Sequence, residues 1–247
     1  MPDSFTRRVS LRTAVVWDVL RSALAEHPSA ANGLDVLDAG GGTGGFAVPL
    51  AQLGHRVTVV DPSPDSLAAL ERRAAEADVT VLGVQGDLAR LPEAVVARRF
   101  DVVLCHSVLE VVDDPVAALA AVASVLTDGG VTSVLTANRA ASVFARALVG
   151  RFAEAAHVLT DPNGRWGDAD ALVRRFTADD LAALLAGAGF RVGPMHGVRV
   201  FTDLLPGALL DAEATARDDL RRLEAIVSER PEFRAVATQL HVLGYRG

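Results

Sequence analysis

The stretch that decides the fold is LDVLDAGGGTGG, residues 34–45, in which a short apolar run enters a cluster of glycines. The run 34–39 has the length and composition of a buried strand, and helical spacing of apolar residues follows through Phe46, Leu50 and Leu53. Glycines permit the positive φ angles of a tight turn and let a ligand approach the main chain. The stretch therefore predicts a ligand site between a strand and a helix.

The remainder of the chain continues this alternation. Further strands are predicted at 56–60, 79–84, 101–106, 131–135, 190–201 (interrupted near Gly193-Pro194) and 239–245, and helices at 10–27, 64–74, 115–126, 141–152, 181–186 and 209–228. Ser63, Asp114 and the pair Thr177 and Asp180 are suited to cap helix starts. Strands alternating with helices predict an α/β fold, a Rossmann-like, doubly wound sheet. We expect one domain over 1–247, with a substrate-side insertion at about 138–176.

Composition and charge narrow the function classes. Half of the residues are apolar, and the formal net charge of -7 disfavours nonspecific attraction to nucleic acid or anionic membranes. All 24 basic residues are arginine, which excludes lysine-based mechanisms, and the single cysteine, Cys105, excludes an intrachain disulfide and a Cys₄ zinc site. The polar start, residues 1–8, does not resemble a signal peptide, and the apolar stretches are too short for a membrane span. We expect a cytoplasmic protein that requires no membrane and no metal.

Three acids and a histidine lie at or next to the ends of predicted strands. Asp38 directly precedes the glycines, where it could hold a ligand's ammonium group or ribose. Asp61, followed by Pro62 at the end of the second strand, is an acceptor placed for ribose hydroxyls. Asp87, followed by Leu88 after the third strand, could accept from an adenine amino group, and His106 ends the fourth strand at the same edge.

Other interpretations remain open at this point. Gly40, Gly42 and Gly45 satisfy the G-x-G-x-x-G spacing of dinucleotide sites. The acids, and an ending in two strands without a second mononucleotide-binding half, favour a methyl donor instead. Asp61 could be only a turn residue, Asp87 a solvated loop acid and His106 a satisfied histidine at a strand end. Cys105 is read as a small core residue.

The order of these motifs resembles the class I S-adenosylmethionine-dependent methyltransferases over nearly the whole chain. That family implies a seven-stranded sheet whose last strand is antiparallel. More closely, the chain resembles the bacterial tRNA 5-carboxymethoxyuridine methyltransferases, which esterify the carboxylate of a modified wobble uridine. The segments that carry this resemblance are 11–12, 36–42, 106–110 with 113–115, 197–203 and 230–233.

The resemblance implies S-adenosyl-L-methionine as cofactor. It places the donor-binding residues at Arg12, Gly40, Gly41, Asp61, Asp87 and His106. Arg12 is suited to the methionyl carboxylate, which a guanidinium binds bidentately, although an exposed helix arginine is the alternative. The insertion departs from the family because it has no run of basic residues where the family can be lysine-rich, and this puts a tRNA substrate in doubt more than methyl transfer.

The resemblance implies, as the first hypothesis, that the acceptor is a carboxylate of a modified wobble uridine in tRNA. A carboxylate acceptor is ionised at neutral pH and needs no general base, so no catalytic residue is predicted. Residues 138–199 contain eight arginines and six acids, which gives this segment a net charge of +2. The rest of the chain has a net charge of -9. This positive charge could admit tRNA or a small anionic substrate, with Arg199 the first and Arg139 the second candidate for substrate contact, or the arginines could simply solvate helix faces. A small-molecule O- or N-methyltransferase and a noncatalytic donor-binding protein remain alternatives, as do a monomer and a homodimer.

Overall fold

The computed structural model describes residues 10–96, 98–206 and 215–247. A seven-stranded sheet runs through it in the order β3-β2-β1-β4-β5-β7-β6, and β7 is antiparallel to both of its neighbours. The strands are β1 (Asp35–Ala39), β2 (Arg56–Asp61), β3 (Val81–Gln85), β4 (Phe100–His106), β5 (Leu126–Ala137), β6 (Phe190–Val198) and β7 (Gln239–Arg246). The prediction of a Rossmann-like, mostly parallel sheet with an antiparallel last strand is confirmed.

Helices cover both faces of this sheet. They are α1 (Ala14–Glu26), α2 (Ala47–Gln52), α3 (Pro64–Glu76), α4 (Leu91–Ala94), α5 (Pro115–Val125), α6 (Arg139–Leu148), α7 (Phe152–Thr160), α8 (Ala178–Gly187), α9 (Ala216–Ser228) and α10 (Pro231–Arg234). Successive side chains of a strand point to opposite faces, so Val36 packs with α1, α2 and α3 while Leu37 packs with α4, α5 and α8. The central strands β1, β2 and β4 are mostly buried because both of their faces are covered.

The predicted helix starts are confirmed by their hydrogen bonds. The Ser66 N–H donates to Ser63 Oγ at the start of α3, and Asp114 accepts from the first N–H groups of α5. Thr177 and Asp180 form a reciprocal capping box at α8. Each cap satisfies main-chain donors that a helix cannot satisfy itself. These caps fix where the helices leave the sheet edge.

Two strands differ from their predicted bounds by three residues or more. β6 ends at Val198 instead of 201 because Arg199 has φ +60° and turns the chain out of the sheet. The expected interruption at Gly193-Pro194 is present as a register shift between Val192 and Met195. β5 begins at Leu126 instead of 131, and a register shift against β4 accommodates the glycines that suggested a turn.

The segment 138–176 holds two helices, not one over 141–152. Gly150, with φ +77°, ends the first helical run and allows α7 to start at Phe152. The segment leaves and rejoins the sheet at one point, since Asn138 and Phe176 form a parallel bridge. The helix predicted at 209–228 is described from Ala216, and residues 1–8 and 209–214 lie outside the described residues.

The sequence analysis expects that the chain requires no membrane and no metal. In the described part of the chain, no helix is both long and apolar enough to cross a lipid bilayer. The described His, Cys, Asp and Glu side chains form no group of three or more that could hold a metal ion. Cellular location and metal independence stay predictions.

Candidate functional site

The glycine turn after β1 presents main chain without side chains. Gly40, Gly42 and Gly44 have φ values of +75°, +54° and +81°, which residues other than glycine rarely adopt. A Cβ at Gly40 would lie 2.5 Å from Val108 Cγ2, so the turn also packs closely on the segment that follows β4. The turn is therefore shaped for close approach, as the sequence predicted.

Asp61 fastens this turn to the end of β2. It is 7% exposed, and its Oδ2 accepts from the Gly42 N–H at 2.9 Å while its Oδ1 accepts from the Ser63 N–H at 2.9 Å. A carboxylate has about four acceptor positions, so two remain for ligand hydroxyls. The carboxylate is thus held in place before any ligand arrives, which reduces the ordering cost of binding.

A cavity of about 510 Å³ opens beside the turn, which we call the donor cavity. It lies at the carboxyl ends of β1 and β4, where the strand order reverses and α/β folds bind ligands. Its lining residues are 39–40, 60–62, 86–89, 107–108, 111–114 and 117–118. The predicted residues Gly40, Asp61, Pro62, Asp87 and Leu88 all line it, and Asp87 is held by the Ala89 N–H at 2.9 Å.

Asp38 supports the turn from behind. It is 3% exposed, and a Cβ at Gly41 would lie 2.5 Å from its Oδ2. Burial, and secondarily the charge of Asp61, raise the pKa of Asp38 to about 7. Asp38, Gly41 and Gly42 are not among the described residues that line the donor cavity, so contact of these residues with the donor stays a prediction.

His106 lies on the face of the sheet that α1 covers. Its Nε2 shares a hydrogen bond of 2.8 Å with Ser133 Oγ, which shares another of 2.8 Å with His241 Nε2. Its ring contacts Phe46 edge-on, with the ring centroids 4.6 Å apart. Burial lowers the pKa of His106 to about 3, so the ring is neutral at physiological pH. It does not belong to the described lining of the donor cavity, so its donor contact also stays a prediction.

Arg12 joins a cluster with Arg199 and Asp203. Its Nη2 lies 3.1 Å from Asp203 Oδ1, and Arg199 Nη1 lies 3.3 Å from Asp203 Oδ2. The Arg12 side chain is 65% exposed and is absent from the described lining of the donor cavity. Its contact with a methionyl carboxylate stays a prediction, and it would require Arg12 to exchange Asp203 for the ligand.

A second cavity of about 720 Å³, which we call the acceptor cavity, meets the donor cavity at Ser107. It is lined by Ser107, Glu110, 137–138, 141–142, 144–146, 148, 172, 175, 199–201, 203–204, 233, 236 and 238–239. Ser107 has φ +57°, which turns the chain sharply at the end of β4, and its Oγ accepts from Gln239 Nε2 at 3.1 Å. Molecules bound in the two cavities would therefore meet at Ser107.

Comparison with known proteins identifies the family. Residues 36–130 match the protein family described as Methyltransferase domain. The tRNA 5-carboxymethoxyuridine methyltransferase of Escherichia coli is 32% identical over 208 residues, which cover 81% of this chain and 75% of that protein. The chain belongs to the S-adenosylmethionine-dependent methyltransferases. S-adenosylmethionine is accordingly its cofactor, as the sequence predicted.

Other relatives of this methyltransferase are named for different substrates. The ubiquinone biosynthesis O-methyltransferase of Azorhizobium caulinodans is 35% identical over 169 residues, which cover 67% of this chain and 62% of that protein. The match to another ubiquinone biosynthesis O-methyltransferase, from Methylocella silvestris, spans 47% of that protein's length. A solved magnesium protoporphyrin IX methyltransferase from Synechocystis, with bound S-adenosylhomocysteine, shares the fold at a TM-score of 0.59 and 17% identity, over 96% of this chain and 82% of that one.

The donor cavity fits this cofactor. Bare main chain at Gly40 would permit the approach of the methionyl part, Asp61 would accept from ribose hydroxyls, and Asp87 would accept from an adenine amino group. These residue roles stay predictions. Apolar side chains, including Val108 and Val111, give the cavity walls suited to a flat base. When bound, S-adenosylmethionine supplies a methyl group on a positively charged sulfur.

The eight arginines between residues 138 and 199 of this methyltransferase are all engaged within the chain. Arg146, Arg151, Arg175 and Arg199 pair with carboxylates; Arg139, Arg165 and Arg174 donate to main-chain carbonyls; and Arg191 lies over the Tyr245 ring. Arg199 lines the acceptor cavity, as expected of a substrate-contact residue. Arg139 instead holds the loop at Asp161 and Pro162 and lies outside the described lining, which makes it a weak candidate for substrate contact.

Two residues of the site received no role from the sequence. Ser107 joins the two cavities, and Glu110 is a buried acid in the wall of the acceptor cavity. Both belong to the segment 106–110 that carried the family resemblance. In the sequence, Glu110 stands out as an acid within an otherwise apolar stretch. Only the folded chain shows that it is buried.

Cys105 in β4 is expected to resist alkylation in the folded methyltransferase. Its side chain is fully buried, and burial, reinforced by the charges of Glu110 and Asp38, raises the pKa of the thiol well above its usual range. The thiolate is the reactive form, so iodoacetamide should label the protein only after denaturation. Mass spectrometry before and after urea measures this, and rapid labelling of the native protein would contradict the burial of Cys105.

Proposed function

We propose that this methyltransferase transfers the methyl group of S-adenosylmethionine to a hydroxyl oxygen of a small, largely apolar acceptor. The observation that carries the proposal is the character of the acceptor cavity. Aromatic side chains line it from three segments: Phe144 of α6, Phe201 after β6 and Phe233 of α10. Such surfaces favour a planar, apolar ring over a polyanion.

The charges around the cavity support the same proposal. Arg146, Arg175 and Arg199 line it, but each is paired with a carboxylate of the chain, at 3.0, 2.5 and 3.3 Å. An anionic acceptor would have to displace Glu154, Asp170 or Asp203 from its arginine. An apolar acceptor with a hydroxyl group requires no such exchange, and the similarity to O-methyltransferases of ubiquinone biosynthesis is consistent with it.

One contribution of the chain to the transfer is to position the donor and the acceptor. The glycine turn and Asp61 hold the donor on one side of Ser107, and the aromatic side chains hold the acceptor on the other. Methyl transfer is an in-line displacement, and alignment of the two reacting atoms accounts for a large part of its acceleration. The common wall at Ser107 is where the two atoms would meet.

A second candidate function is esterification of the carboxylate of a modified wobble uridine in tRNA. It is favoured by the tRNA-modifying relative, whose similarity extends over 81% of this chain and therefore beyond the donor half. Arg199 would then bind the carboxylate, and the net +2 of residues 138–199 would attract phosphates. This candidate requires Arg199 to exchange Asp203 for the substrate.

The test is methyl transfer from labelled S-adenosylmethionine to a panel of phenols, aromatic carboxylic acids and unmodified or partly modified tRNA. We expect label in the phenols, separated by chromatography. Phe144→Ala, which removes a ring from the cavity wall, should raise the acceptor KM about tenfold, because burying an aromatic ring contributes roughly 1.5–3 kcal/mol. Leu159→Ala, at an exposed residue of α7 outside the described lining, is the matched control and should leave KM unchanged. Label found in tRNA alone would reject the proposal and favour the second candidate.

A further inference from the structure

We propose that Glu110 is the general base that accepts the proton of the acceptor's hydroxyl group. This inference rests on the proposed function, because an acceptor that is already ionised needs no base. The supporting observations are the burial of Glu110, the state of its two oxygens and its place in the wall of the acceptor cavity. They are independent of the sequence comparisons.

The two oxygens of Glu110 have different surroundings. The residue is 2% exposed, and its Oε1 accepts from the Ala137 N–H at 2.6 Å. Its Oε2 is buried and receives no hydrogen bond from any described residue. A buried acceptor without a partner is costly, and native proteins satisfy nearly all of them. Glu110 lines the acceptor cavity, so a turn of its carboxyl group toward the cavity would give Oε2 the partner it lacks, a hydroxyl group of the bound acceptor.

The main chain around Glu110 is clamped to the insertion. The Val173 and Arg174 N–H groups donate to the Glu110 carbonyl at 3.1 and 3.2 Å. The Arg174 guanidinium also donates to the carbonyls of Leu109 and Asp113, at 3.0 Å each. These contacts fix the main chain that carries the carboxyl group beside the acceptor cavity, as is required of a base that must come within hydrogen-bond reach of one hydroxyl.

The charge state of Glu110 suits proton transfer near neutral pH. Burial raises its pKa to about 7, and hydrogen bonds and the charge of Arg175 lower it in part. The charged and titratable groups that face it are Arg175 with its partner Asp170 and Arg174 from the insertion, and Cys105 from β4. The carboxylate form accepts the proton, so the base becomes active as pH rises through about 7.

The step balances without a further reactant. The acceptor's O–H bond breaks, its electron pair stays on oxygen and its proton goes to Oε2 of Glu110. The acceptor's oxygen would then form a bond to the methyl carbon as the carbon–sulfur bond breaks, and the electron pair of the broken bond would stay on sulfur. The proton leaves Glu110 for water when the product departs. A phenol, with a pKa of about 10, lies within reach of a base of this strength, which favours a phenolic over an aliphatic hydroxyl.

The test compares Glu110→Gln with the wild type, with catechol and simple phenols as probes. Glutamine keeps an oxygen for the Ala137 N–H but cannot take up the proton. We expect kcat to fall by about 10²–10⁴-fold, while the Kd of S-adenosylhomocysteine stays within about twofold. Glu93→Gln, at an exposed acid before β4, is the matched control and should behave as the wild type.

The pH profile separates a base from a structural acid. In the wild type, log(kcat/KM) should rise with pH and level off above about 7, and Glu110→Gln should lose this rise. The infrared signal of protonated carboxylic acids should fall over the same range in the wild type. The pKa of Asp38 is also raised to about 7, so the contribution of Glu110 is the part of this signal that Glu110→Gln lacks. This spectroscopic measurement needs no turnover, and in Asp38→Asn the signal that remains reports the ionisation of Glu110 even where Glu110→Gln folds poorly.

The outcomes distinguish the two proposals. Equal kcat in Glu110→Gln, or a pH rise that the variant retains, would overturn the role of Glu110 while leaving hydroxyl methylation in place. An infrared band that does not titrate near 7 would also overturn it. Failure of the wild type to methylate any phenol would reject the proposed function, and with it the need for a base.

Discussion

Replacing Asp61 by alanine is expected to weaken binding of the methyl donor by about 100-fold or more. The carboxylate accepts from Gly42 and Ser63 and retains acceptor positions for two ribose hydroxyls. A hydrogen bond to a charged group contributes about 1.5–3 kcal/mol, so the loss of two such bonds accounts for this factor. Titration calorimetry with S-adenosylhomocysteine measures the change in Kd.

The controls for this prediction separate binding from folding. Asp65→Ala, at an exposed residue in the first turn of α3, removes a nearby carboxylate and should leave the Kd unchanged. Asp61→Asn retains the shape of the side chain but loses its charge, and we expect an intermediate Kd. Thermal unfolding must be followed in parallel, because Asp61 also ties the glycine turn to β2. A Kd for Asp61→Ala within threefold of the wild type would contradict donor binding at this turn.

The part of the site that the sequence predicted is local in the chain. A strand, a glycine turn and a helix are encoded in consecutive residues, and an acid at the end of the next strand meets that turn because parallel strands end at one edge. In the structure, Asp61 accordingly accepts a hydrogen bond from the Gly42 N–H. The antiparallel direction of β7 came from the family resemblance, since alternation of strands and helices does not encode the direction of a final strand.

The part that the sequence did not predict depends on contacts between distant residues. The excess of arginines in 138–199 was counted correctly, but their pairing with residues such as Glu154, Asp170 and Asp203 is set by the fold. Charge counts cannot distinguish an open cationic surface from arginines already occupied. Gly150 is a residue type that often ends a helix, so the break between α6 and α7 was visible in the sequence. The prediction missed it because apolar residues at helical spacing lie on both sides of Gly150.

The end of β6 illustrates the same limit. The apolar run through residue 201 predicts a continuing strand, but the N–H groups of Val200, Phe201 and Thr202 leave the sheet and converge on the side chain of Glu224. Glu224 lies in α9, more than twenty residues further along the chain. A single carboxylate thus replaces a strand partner, and it fixes the segment that carries Arg199 and Asp203 at the acceptor cavity.

Replacing Glu224 by alanine is therefore expected to lower the free energy of unfolding by about 3–5 kcal/mol, the usual cost of removing one partner from a buried charged network. Glu224 is 1% exposed and accepts four hydrogen bonds of 2.7 to 2.9 Å, three from main-chain N–H groups and one from Thr202 Oγ1. Its removal leaves these donors without the acceptor that now satisfies them. Urea unfolding followed by circular dichroism measures the difference.

The same substitution should affect the two cavities unequally. The segment 199–203 borders the acceptor cavity and not the described lining of the donor cavity, so the acceptor KM should rise while the Kd of S-adenosylhomocysteine changes little. Asp219→Ala, on the exposed side of the same helix, is the control and should change stability by no more than about 0.5 kcal/mol. Two results would contradict this role of Glu224. One is a decrease in the free energy of unfolding of less than about 1 kcal/mol for Glu224→Ala. The other is equal weakening of donor and acceptor binding.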